Sequence, residues 1–170
     1  MGQIMELPEV SYLYTVALIG MTFIGFSVIV MLLRQTVGRK LRTFDALFAH
    51  VYMEFGLIVT VAALLPPLLV FWGLPPALVW RASAGLVAIP IILFGLTYPS
   101  RRRKAAGEPT PLYVWVNVAL VLLMGLIFLA TSTGLWPMRS AALFLSALTA
   151  FLVFSVGTWL RALSLVVAPT

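Results

Sequence analysis

Five runs of mostly apolar residues dominate this sequence, at about residues 12–33, 44–65 with a possible extension to 72, 76–98, 112–131 and 138–163. A helix that crosses a bilayer needs about 20 such residues in a row. Each run meets that length, so the chain is expected to be an all-α integral membrane protein. It reads as one transmembrane domain, residues 1–170, in which five helices form a bundle.

Composition agrees with that solvent. Hydrophobic residues make up 62% of the chain and charged residues 9%, whereas soluble domains carry about 25% charged residues. The chain has too little polar surface to cover a water-facing globule. The absence of cysteine excludes disulfides, thiolate catalysis and thiolate metal ligation. The first apolar run has no basic leader before it and no small-residue cleavage site after it, so it is expected to be retained as a span.

The net charge of +6 comes from residues placed between spans. Arg34, Arg39, Lys40 and Arg42 follow the first run, and Arg101, Arg102, Arg103 and Lys104 follow the third. "GLPP" and "STGLWPM" hold no basic residue, with Arg81 and Arg139 just beyond them. Assigning the basic connections to the cytoplasm puts nine Lys/Arg inside, counting Arg161, and two outside. The positive-inside rule then predicts the N-terminus outside and the C-terminus in the cytoplasm. Arg39, Lys40, Arg42 and Arg101 to Lys104 are expected to meet anionic headgroups. No aromatic-basic interleaving or binding motif accompanies the charge, which argues against nucleic acid as a partner.

Prolines and tryptophans punctuate the runs. Pro66-Pro67 is expected to end or kink the second helix. Pro75-Pro76 suits the first turn of the third. Pro90 should bend the third helix from within, and Pro99 should bracket the basic connection. Trp72, Trp80, Trp115, Trp136 and Trp159 all fall near span ends, as interfacial anchors do.

Ionisable residues inside a span point to function, because lipid exposure of a charge is costly. The second span holds the sole histidine, His50, and Glu54. At the α-helical rise these lie about 9 Å and 15 Å past the helix start, which puts Glu54 near mid-bilayer. Four residues apart, they share a face, while Asp45 points roughly the opposite way from a first-turn position that favours a carboxylate. Gly20, Ser27 and Arg34 repeat every seven residues on the first span. Asn117 on the fourth span and Ser155 and Thr158 on the fifth lie toward the same basic side. Glu54, His50, Asn117, Ser27 and Arg34 are therefore the candidate residues of an ion or solute pathway, in a polar pocket facing the cytoplasm. On the fifth span Ala142, Ser146, Ala150 and Gly157 form a small-residue face suited to close helix packing.

Metal and cofactor chemistry find no support. One histidine and no cysteine cannot build a typical zinc site in a monomer or bis-histidine haem ligation, and the sequence contains no HExxH, GxSxG, P-loop or GxGxxG motif. The leading expectation is an oligomeric channel or transporter for an ion or small solute, in a bacterial inner membrane. The alternative is a non-catalytic structural or accessory subunit of a larger membrane complex. Catalysis on lipid or quinone, with Glu54 and His50 as acid and base, comes third.

Overall fold

The computed structural model describes residues 9–36, 43–134 and 140–167. They form five helices, α1 (Val10–Thr36), α2 (Thr43–Phe71), α3 (Pro76–Ala106), α4 (Leu112–Thr133) and α5 (Ser140–Val167), with no strand among the described residues. All five are long and apolar enough to cross a membrane. The chain is an integral membrane protein built as a helix bundle.

The hydropathy boundaries and the helix boundaries differ in an informative way. The second helix does not end at Pro66-Pro67 but runs through both to Phe71. The third runs through Pro90 and Pro99 to Ala106. In water a proline's lost donor marks a stop, because solvent takes up the freed groups. In a bilayer a broken helix strands more backbone groups than a single missing hydrogen bond does, so continuation wins. At its 31 residues α3 is about 46 Å long, well beyond the ~30 Å hydrocarbon core. The second basic connection is consequently helical, and Arg101 to Lys104 occupy the last two turns of α3.

The α2–α3 turn shows why "GLPP" is enough. Gly73 takes φ +81°, its N–H donates to the Val70 carbonyl at 2.8 Å, and the Leu74 N–H donates to Leu69 at 3.1 Å. This is the Schellman closure, which needs a left-handed residue after the last helical one. Pro75 then caps α3 and Pro76 occupies its first position. At the same end, Arg81 on α3 donates to the carbonyls of Ser132 (3.3 Å) and Thr133 (3.0 Å), closing the last turn of α4.

Helix pairs approach where side chains are absent. A Cβ on Gly20 would fall 2.6 Å from Thr60 Oγ1, and one on Gly56 would fall 2.5 Å from Ile24 Cγ1, so α1 and α2 meet through facing glycines. Gly95 and Gly125 serve α3 and α4 in the same way, against Leu122 and Ile92. α5 packs across α2, α3 and α4, and a hydrogen bond between the Tyr12 and Thr149 hydroxyls ties it to α1. Ile91, Phe128, Phe144, Leu148 and Phe151 are fully buried and fill the half of the bundle away from the basic residues.

Two of the five tryptophans depart from the anchoring role. Trp72 and Trp115 are exposed, as anchors should be. Trp80, however, is buried against Phe144 with ring centroids 5.6 Å apart. Trp159 packs on Phe23 at 5.4 Å, inside the α1–α5 contact. Trp136 lies outside the described residues.

Candidate functional site

Polar side chains gather at the basic end of the bundle in two separate places. The first is an ion cluster between α2 and α3. Arg101 Nη1 donates to both carboxylate oxygens of Glu54, at 3.0 and 2.8 Å. His50 Nε2 lies 3.1 Å from Glu54 Oε1, the contact expected of residues four apart on one helix. Glu54 and Arg101 are each 30% exposed and His50 60%.

The sequence marks Arg101 as a headgroup contact and not as the partner of Glu54. The signal for that pairing is weak but real. Phe55 and Phe94 are in ring contact at 4.6 Å, almost equidistant from the Gly73 turn. That register brings Glu54 within one arginine side chain of position 101, provided that α3 stays helical past Pro99. The extension of α2 to Phe71 also moves Glu54 away from mid-bilayer. Counted from Phe71 it is about 26 Å along the helix, a distance close to the full ~30 Å thickness of a hydrocarbon core.

The second place is a cavity of about 560 Å³ enclosed by α2, α3, α4 and α5. Each helix contributes a stripe at the three-to-four-residue spacing that keeps side chains on one face: Phe48, Tyr52 and Phe55 from α2; Phe94, Tyr98 and Arg102 from α3; Tyr113, Asn117 and Val121 from α4; Phe154, Thr158 and Arg161 from α5. Read along the helices, these stripes are in step. Arg102, Tyr113 and Arg161 stand at the basic mouth, Asn117 and Thr158 one turn in, and Phe55, Phe94, Val121 and Phe154 at the floor.

Several contacts hold the walls. Phe94 stacks on Tyr98 at 5.3 Å, and Phe48 meets Tyr52 edge-on at 4.7 Å. Tyr52 and Thr158 both face the cavity, and the Thr158 hydroxyl donates to the Ser155 carbonyl at 2.9 Å. The Arg161 guanidinium lies 5.6 Å from the Tyr113 ring centroid, in cation–π range. Arg102 is only 6% exposed, while Arg161 and Tyr113 reach the surface.

The predicted pathway residues divide between these places. Asn117 lines the cavity. Glu54 and His50 belong to the ion cluster and do not line it. Ser27 is buried on α1, where its hydroxyl donates to the Phe23 carbonyl of its own helix at 2.9 Å. Arg34 lies in the last turns of α1 and Asp45 in the first turn of α2, and both side chains fall outside the described residues, as do Arg39, Lys40 and Arg42. Arg103 and Lys104 are exposed at the end of α3. On α5, Ala142 and Ser146 are exposed and Ala150 is half-buried, while Gly157 lines the cavity. Among the described residues no three His, Cys, Asp or Glu side chains come together.

The residues that sequence reasoning missed are the aromatic lining, Arg102 and Arg161. Aromatics at helical spacing look like ordinary core, and nothing local marks these as walls of a space. No protein-family model matches the chain, and no curated protein or solved structure is significantly similar to it.

Proposed function

We propose that this chain is a small-solute transporter of a bacterial inner membrane, working as an assembly of several copies. Its solute enters the cavity between α2 and α5 from the cytoplasm. The one observation that carries this reading is the cavity itself. Its volume, about 560 Å³, lies within the range of about 300–1,000 Å³ typical of small-molecule sites. Its lining is mainly apolar with a few convergent polar groups, which also fits such a site. The filled half beyond it, with Phe151 edge-on to the floor residue Phe55 at 5.4 Å, favours a pocket open at one end over a continuous pore through one protomer.

Gly157 supplies the test. It lines the cavity, and a Cβ placed on it would meet nothing within 4 Å. Gly157→Phe should therefore fill the space without disturbing packed backbone, and replacing a helical glycine by phenylalanine lends roughly 0.4 kcal/mol of helix stability. In proteoliposomes, uptake of small solutes should be lost in Gly157→Phe while folding is retained. Uptake equal to that of the wild type in the filled variant would reject the cavity as the route.

A second reading, an accessory subunit of a larger membrane complex, is favoured by the exposed small-residue face at Ala142 and Ser146. There, another helix could approach closely. A partner that co-purifies in mild detergent and is lost in Ser146→Leu would support it.

A further inference from the structure

We propose that the cavity binds an amphipathic anion, with a carboxylate- or phosphate-type head at Arg102 and Arg161 and an apolar, ring-sized body against the aromatic floor. This deepens the binding reading above and rests on it.

Charge comes first. The cavity lining contains two arginines and no acidic side chain. The nearby carboxylate, Glu54, is held by Arg101 outside the lining. Guanidinium stays charged at any working pH, so Arg102 and Arg161 both present a cationic group to the cavity. Planar, bidentate recognition of carboxylate or phosphate is what arginine does best.

Zoning comes next. The charge sits at the mouth, on Arg102 and Arg161, with Asn117 and Thr158 one turn deeper as further hydrogen-bonding groups. Beyond them the floor is Phe55, Phe94, Val121 and Phe154. A bare inorganic anion would satisfy the mouth and leave an apolar space of this size unfilled. A wholly apolar solute would fill the floor and leave the positive mouth unused. A molecule with an anionic head and an apolar body matches both zones. A membrane lipid with a phosphate headgroup and a soluble organic acid share this chemistry.

The full chain in phosphatidylcholine nanodiscs provides the test, by equilibrium dialysis against empty discs. Three probes share a naphthalene body and carry an anionic, a neutral or a cationic head: naphthalenesulfonate, naphthalenemethanol and naphthylmethylammonium. The sulfonate should bind saturably and more tightly than the other two. Arg161→Gln and Arg102→Gln should each weaken it by about tenfold or more, the worth of one charge-assisted hydrogen bond. Arg103→Gln, at an exposed position outside the lining, should leave binding unchanged. Arg161 is itself exposed, so Arg161→Gln keeps the proposal falsifiable even if Arg102→Gln fails to fold.

Equal binding of the neutral alcohol, with the sulfonate unaffected by Arg161→Gln, would overturn the anion assignment and leave the cavity as a solute site. Binding of none of the three would overturn both. Competition then identifies the source. Displacement by phosphatidic acid placed in the disc assigns the site to lipid, and displacement only by octyl phosphate added to the aqueous phase assigns it to a soluble solute. Displacement by neither would overturn the phosphate-type head.

Discussion

Arg101 and Arg102 are neighbours in sequence and end in different places, because an α-helix turns about 100° per residue. Arg101 points to α2 and takes Glu54. Arg102 points into the bundle and lines the cavity, while Arg103 and Lys104 project outward. A string of four cations that reads as one headgroup-binding patch is thus three environments. The Glu54–Arg101 pair is only partly buried, so its contribution belongs near the upper end of exposed ion pairs, about 1 kcal/mol. A double-mutant cycle with Glu54→Gln and Arg101→Gln, followed by unfolding in mixed micelles, should return a coupling of about that size that shrinks at high salt. Naphthalenesulfonate binding should not change in Glu54→Gln, because Glu54 lies outside the cavity lining.

At the scale of the helix, close approach is set by glycine. Gly20 and Gly56 face one another so tightly that a Cβ on either would overlap its neighbour. Gly56→Val should force α1 away from α2, an overpacking cost of about 1–3 kcal/mol, read as a lower unfolding midpoint. Gly25, on the same helix as Gly20, meets nothing within 4 Å, and Gly25→Ala should be neutral or stabilising. This pairing also shows what could be read from sequence. The spans were legible because hydropathy depends on solvent and not on partners. The i,i+4 contact of His50 with Glu54 was legible because helix geometry alone produces it. Partners on other helices were not: the small residues Ala142 and Ser146 look as suited to packing as Gly20 and Gly56 do, yet only the latter pair is used within the chain. The extension of α2 past Pro66-Pro67 was legible as an option, whereas the length of α3 was hidden because Pro99 reads as a stop by the rules of water, and the bilayer changes the balance. The cavity was hidden for a further reason. It depends on four helices staying in step, and each stripe alone resembles core.

At the scale of the whole molecule, charge and shape point the same way. The cavity mouth, the Glu54–Arg101 cluster and the exposed Arg103 and Lys104 all lie at the end of the bundle where α2 and α4 begin and α3 and α5 finish. The other end carries the Gly73 turn and, among its described residues, a single basic one, Arg81, which is engaged with α4. Short connections bearing Lys and Arg are retained in the cytoplasm, so the mouth should open there. A chain without cysteine makes this directly measurable, since any introduced thiol is the only one. Glu108→Cys lies just past α3 at the basic end and Trp72→Cys in the opposite turn, both exposed. In intact cells a membrane-impermeant maleimide should label Trp72→Cys and spare Glu108→Cys, and inverted membrane vesicles should reverse the pattern. Labelling of Glu108→Cys in intact cells would turn the mouth to the outside and make the solute an external one. Labelling of both positions from one face would mean that α3 does not cross the membrane at all. The expected pattern instead makes the cytoplasm the source of whatever anion the two arginines meet.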